Sequence, residues 1–214
     1  SPVRVPGVTL SSISAGNEHS CGLAADGTAY CWGNNLSGQL GDGTQTQRLS
    51  PTLVALNLKF SKIFAGQSRT CGIAVAPAGK LYCWGEGGNG QLGIGANSSV
   101  STPTAVNSAL TFSSVASGWD FTCGLTTTSQ THCWGTGRYG TLGTSVSTTT
   151  SQNSPVRVAG DPGFVSLAAG NQHVCGVTAA KVTHCWGRNR VGSLTADVIA
   201  PIAVTGSTVF RGSR

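Results

Sequence analysis

Apolar and polar positions along the chain change over in short runs. Each run lasts four to seven residues, is rich in Val, Ile, Thr and aromatic residues, and is bounded by Gly, Pro, Asn, Asp or Ser, as strands joined by turns would be. No segment keeps apolar residues at helical spacing over the roughly 11 positions a helix requires. The pattern predicts an all-β chain.

The runs recur with a fixed period. Cys-Trp-Gly begins at Cys31, Cys83, Cys133 and Cys185, at steps of 52, 50 and 52 residues. A Cys-Gly pair precedes each one, at Cys21, Cys71, Cys123 and Cys175, and is itself preceded by a small-residue turn such as Ala15-Gly16. A glycine-bounded turn follows: Gly38-Gln39-Leu40-Gly41, Gly90-Gln91-Leu92-Gly93, Gly140-Thr141-Leu142-Gly143 and the eroded Gly192-Ser193-Leu194. Pro-x-x-Val segments open the units at Pro2, Pro51, Pro103 and Pro155, and a fifth stands at Pro201. Taking the second unit as a guide, the strands fall at residues 51–56, 60–64, 69–75 and 80–84. Four-stranded units of this period are blades of a β-propeller, each burying its faces on its neighbours. The expected architecture is one repeat domain, residues 1–210. It holds four four-stranded blades (2–50, 51–102, 103–154 and 155–200) plus the first strand of a fifth (201–210), and residues 211–214 read as a cloning remnant.

The cysteines support these hairpins. The two in each unit are ten residues apart in the first, third and fourth units and twelve apart in the second, where the additional residues fall in the turn Ala76-Pro77-Ala78-Gly79. In the first unit the hairpin centres on Ala25-Asp26-Gly27, with glycine where a three-residue loop needs a positive φ. Each pair is therefore directly opposed across two strands, within bridging distance. This predicts Cys21–Cys31, Cys71–Cys83, Cys123–Cys133 and Cys175–Cys185. Such bridges persist outside the reducing cytosol, which implies a secreted or cell-surface location. Zinc is the alternative use of paired cysteines, but the closely spaced pairs of structural zinc sites do not occur. Tyr30 and Tyr82 also stand where His132 and His184 precede the second cysteine, so no metal site is expected.

The run Ala15-Gly16-Asn17-Glu18-His19-Ser20-Cys21-Gly22-Leu23, then Asp26-Gly27, Tyr30-Cys31-Trp32-Gly33 and Gly38-Gln39-Leu40-Gly41-Asp42-Gly43, resembles the regulator of chromosome condensation repeat. The resemblance extends over residues 2–200. It implies a β-propeller, commonly of seven blades, and functions that include nucleotide exchange on a small nuclear GTPase, chromatin contact and inhibition of β-lactamases. The cysteine-bearing version looks like that of bacterial surface proteins and the ectodomains of plant crinkly-type receptor kinases. The cross-strand cysteines, and the lack of an insertion long enough to act as an exchange wedge, separate this chain from exchange factors.

Little in the sequence points to chemistry. Gly85-x-Gly87-x-x-Gly90 and Gly135-x-Gly137-x-x-Gly140 match a dinucleotide fingerprint, which requires a helix to follow. Repeat turns follow instead, so no cofactor is expected. The seven acidic residues form no evident catalytic pair, and no Ser-His-Asp order or free thiol stands out. The reading is non-enzymatic, with no catalytic residue assigned. Trp32, Trp84, Trp134 and Trp186 belong to the motif and are assigned to packing between blades. His19 and His173 share a motif position with Arg69 and Phe121 and are assigned to bracing turns.

Binding residues are sought where one unit breaks the pattern. Trp119 and Asp120 stand where other units carry Asn17-Glu18, Gln67-Ser68 and Asn171-Gln172. Glu86, Arg138, Tyr139, Arg188 and Arg190 come from the turn after Cys-Trp-Gly, which strand alternation places at the same end. Aromatic residues and Arg are the usual anchors of interfaces. A protein partner is the first expectation. A glycan stacked on Trp119 and Tyr139 is the second, and a homo-oligomer joined through the end strands is the third.

Composition adds limits. Charged residues make up 9% of the 214, against roughly 25% in ordinary soluble domains. With 31 Gly, 25 Ser and 25 Thr, the surface is built largely of hydroxyls and backbone. The net charge of +6 comes from scattered Lys and Arg, not the basic stripe that nucleic-acid binding uses. No run approaches the roughly 20 apolar residues of a membrane span. With no Met and no signal-like segment in residues 1–10, the chain reads as a processed product or a piece of something longer. Asn35-Leu36-Ser37 and Asn97-Ser98-Ser99 are glycosylation sequons for a eukaryotic secretory host.

Overall fold

The computed structural model describes residues 5, 7–145, 150–188 and 197–204. They form four antiparallel four-stranded sheets, each a simple meander. The first sheet is β1 (Ser12–Ala15), β2 (His19–Leu23), β3 (Ala29–Gly33) and β4 (Arg48–Leu53). The second is β5 (Phe60–Ala65), β6 (Arg69–Ala74), β7 (Leu81–Gly85) and β8 (Val100–Ala105). The third is β9 (Phe112–Ser117), β10 (Phe121–Thr126), β11 (Thr131–Gly135) and β12 (Gln152–Arg157). The fourth is β13 (Phe164–Ala169), β14 (His173–Thr178), β15 (Thr183–Gly187) and β16 (Val198–Ala203).

The sheets are out of step with the sequence units by one strand. The Pro-x-x-Val segment does not open its own unit's sheet; it is the outermost strand of the sheet before. Pro51 lies in β4, which pairs with β3, and Pro201 lies in β16, which pairs with β15 through Cys185 opposite Ile202. The segment expected to begin a fifth blade therefore completes the fourth, among the described residues. A period alone cannot place this boundary, because any cyclic shift of a four-strand unit repeats equally well.

The hairpins follow the predicted register. Cys21 faces Cys31, Cys71 faces Cys83, Cys123 faces Cys133 and Cys175 faces Cys185, and each pair is bridged with Cα atoms 4.0–4.1 Å apart. No cysteine is free.

Three successive interfaces repeat one design. Phe60 and Trp84 of the second blade pack on Leu23, Leu40 and the first disulfide, and the same set recurs around Trp134 and Trp186. Those three tryptophans are fully buried. Glycine makes room for them. A Cβ on Gly41, Gly93 or Gly143 would come within 2.5, 2.6 or 3.0 Å of the Nε1 of Trp84, Trp134 or Trp186. The face of the first blade that would meet a preceding one carries Ile13, which is 64% exposed although its counterparts Ile63 and Val115 are 7% and 6% exposed.

Candidate functional site

Two sets of turns meet at one end of the blades. In each blade the backbone N–H after the Cys-Trp-Gly strand donates to the turn between the first two strands: Asn34 to Glu18, Glu86 to Ser68, Thr136 to Asp120 and Arg188 to Gln172, at 2.7–2.9 Å. The motif glycine permits this approach. Gly135 has φ +101°, and a Cβ there would lie 2.4 Å from the Asp120 carbonyl oxygen. At the centre of the same end, residues 15–17, 65–67, 117–118 and 169–171 of the four blades surround a polar cavity of about 310 Å³.

Trp119 stands at this end, 52% exposed. Its N–H donates to the Asn171 carbonyl at 2.9 Å, tying the third blade to the fourth. Its own carbonyl accepts from Arg69 Nη1 at 2.8 Å. Arg69 is buried completely, and its guanidinium also donates to the carbonyls of Gly118 and Phe121 and to Thr122 Oγ1. Burial lowers its pKa to about 10, opposed by the charges of Glu86 and Asp120. Burial in turn raises the carboxyl of Asp120, opposed by its backbone hydrogen bond and by Arg69 and Arg138.

Arg138 and Tyr139 lie in a short 3-10 turn, with Tyr139 in the left-handed region at φ +64°. The guanidiniums of Arg138 and Arg188 lie 4.9 and 4.6 Å from the centre of the Tyr139 ring. Arg188 also donates to the side-chain oxygen of Gln172. The structure thus gathers Trp119, Asp120, Arg138, Tyr139 and Arg188 on the third and fourth blades, with Glu86 on the second. Arg190 lies outside the described residues. Sequence reading did not assign Arg69 a part here, although an Arg in a position otherwise held by His and Phe was the available signal.

The His19 ring lies against Gly16 of its own turn, where a Cβ would come 2.7 Å from its Cε1, and it also reaches the next blade. Its Nε2 meets Thr70 Oγ1 of the next blade at 2.8 Å, and burial lowers its pKa to about 4. The two sequons differ: Asn35 is buried, donating to Asp42 Oδ1 and to the Thr44 and Thr46 carbonyls, whereas Asn97 is exposed. No helix follows Gly90 or Gly140 among the described residues. Among the described residues, no group of three or more His, Cys, Asp or Glu converges as a metal site, and no helix is long and apolar enough to cross a membrane.

These features define a class, the disulfide-stapled β-propeller with four-stranded blades. Over residues 26–73, 78–125 and 130–177, and again over 10–39 and 112–141, the sequence matches the Regulator of chromosome condensation (RCC1) repeat, and the chain belongs to that family. It is 32% identical over 192 residues to the ultraviolet-B receptor UVR8 of Arabidopsis thaliana, covering 88% of this chain and 43% of the receptor. Prp20p of Saccharomyces cerevisiae shares the fold with a TM-score of 0.84 at 20% identity, over 96% of this chain and 53% of Prp20p. The ectodomain of the receptor kinase CR4 of Physcomitrella patens aligns at 28% identity and a TM-score of 0.57, over 86% of this chain and 40% of that one. The chain spans about half the length of these proteins or less.

Proposed function

We propose that this propeller is a non-enzymatic extracellular scaffold that presents the Trp119 end to a protein partner. The observation that carries the reading is the exposed side chain of Trp119, whose backbone carbonyl accepts from the buried Arg69. An interface needs an exposed aromatic anchor, and one on a main chain already fixed avoids the cost of ordering a loop on binding. Prp20p binds Gsp1p and histones, and the CR4 neighbour is a receptor ectodomain; both fit a propeller used for recognition. The four disulfides favour an oxidising compartment.

Two further readings have one observation each. Trp119 could stack on a sugar, but Tyr139 is less suited to this because two guanidiniums already lie over its ring. Association of copies is favoured by the exposed Ile13 face rather than by an unpaired strand.

The test is a peptide-display selection on the intact chain, with each recovered binder measured against Trp119→Ala and against Val75→Ala, an exposed apolar residue at the opposite end. Weakening of roughly fivefold or more by Trp119→Ala alone supports the reading. Binders indifferent to Trp119 overturn it.

A further inference from the structure

We infer that the partner meets this end through an acidic peptide segment, whose carboxylates engage Arg138 and Arg188 while an apolar side chain covers Trp119. The inference rests on the reading of this end as the binding face and adds the chemistry of what binds.

Two cations share one aromatic ring, with Arg138 at 4.9 Å and Arg188 at 4.6 Å from its centre. The ring face offsets each of these charges only in part. No carboxylate is paired with either: among the described residues the ion pairs are Arg48–Asp42 and Lys59–Asp26, both elsewhere. A carboxylate brought by a partner to either guanidinium supplies that counter-charge, and its two oxygens match the planar donors.

The platform is set before binding. The corresponding residues in the first two blades are Ser37 and Asn89, neither of which has a positive φ, whereas Tyr139 does. The left-handed conformation is disfavoured for a residue with a Cβ, and such strain collects at binding sites. Arg188 is fixed at two points on Gln172, through its backbone N–H to the carbonyl at 2.7 Å and through its guanidinium to Oε1. The Trp119 backbone N–H bonds to the neighbouring Asn171 carbonyl, so the main chain that carries the indole is tied to the same turn as Arg188.

Neighbouring carboxylates choose between anions. Asp120 and Glu86 lie close enough to influence Arg69, and Asp120 also feels Arg138. A nucleic acid or sulfated glycan would drag a continuous row of negative charge past them. A peptide can place one or two carboxylates on the guanidiniums and turn an apolar side chain to Trp119.

Fluorescence anisotropy with labelled peptides tests this. The probes are an Asp/Glu peptide containing Phe, its Asn/Gln counterpart, a heparin oligosaccharide and a single-stranded oligonucleotide. The proteins are the intact chain, Arg138→Gln/Arg188→Gln, Trp119→Ala, and Lys62→Gln/Lys181→Gln, which removes equal charge elsewhere; melting curves confirm that each is folded. The acidic peptide should bind roughly tenfold tighter than its amide counterpart and lose that advantage in the arginine variant, with little change in the lysine variant. Equal losses in both charge variants, or tighter binding of heparin or the oligonucleotide, overturn the inference. Equal affinity for the two peptides, still lost on Trp119→Ala, overturns the acidic partner and leaves the face intact. Binding that no variant alters overturns both.

Discussion

The guanidinium of Arg69, on the second blade, donates to the carbonyl oxygen of Trp119, on the third, at 2.8 Å. One residue of each of the first three blades crosses to the next at this position, and the chemistry changes from joint to joint. His19 meets Thr70, Arg69 meets Thr122, and Phe121 shares an apolar cluster with Val174. Of these three joints only the middle one uses a charge, and it also holds the backbone carbonyl of the exposed Trp119.

Arg69→Ala should therefore destabilise the protein by about 3 kcal/mol, since it strands buried carbonyls and a hydroxyl without a donor. Urea unfolding measures this, and the Trp119 amide should exchange with solvent faster in the variant. A loss below about 0.5 kcal/mol would show that the guanidinium holds nothing.

Acid should weaken the fold before most carboxylates titrate. His19 has a folded pKa of about 4 against an ordinary 6.5, through burial. Above pH 6.5 it is neutral in both states. Between pH 6.5 and 4 the unfolded chain takes up a proton that the folded chain refuses, so stability falls as pH falls, by up to about 3 kcal/mol. His132 and His173 are lowered in the same direction, mainly by burial, and steepen the loss. Urea midpoints across this range should drop, and His19→Gln should flatten the slope. An unchanged slope would contradict the assignment.

The bridges should not be equally reducible. Cys175 is partly exposed, whereas the other seven cysteines are at most 2% exposed. Limited reduction of the folded protein, followed by alkylation and peptide mapping, should label the Cys175–Cys185 pair first. Each closed hairpin contributes roughly 2.5–3 kcal/mol in the chain-entropy account, so full reduction should lower the melting temperature sharply. First labelling at another pair would contradict the burial order.

Two glycines make a contrast. Gly135→Ala places a methyl 2.4 Å from the Asp120 carbonyl oxygen at φ +101°, and should cost about 2–3 kcal/mol. Gly88→Ala meets nothing within 4 Å and should leave stability within about 1 kcal/mol. Equal effects would mean that the two turns are not held together as described.

Much of this fold was legible because its determinants are local. The mirrored cysteine spacing gave the hairpin register, and the recurring Cys-Trp-Gly gave the blade count. The sheet boundary was not legible: β4 and β16 join the preceding blade through pairings that a repeat cannot phase. At the site, strand alternation correctly brought Trp119 and Arg138 to one end. It could not show that Arg188, 49 positions after Tyr139 in sequence, shares that ring, nor that Arg69 reaches across to the third blade. Both depend on how one blade leans on the next.

Buried tryptophans hold the blades together whereas Trp119 is displayed, and thermal or urea unfolding of two variants tests this without any partner. Trp134 is fully buried between the second and third blades, and Trp119 is half exposed. Trp134→Ala should cost about 3–5 kcal/mol, while Trp119→Ala should stay within about 0.5 kcal/mol of the parent. A comparable loss in both would make Trp119 a packing residue and remove the ground for a binding face at this end.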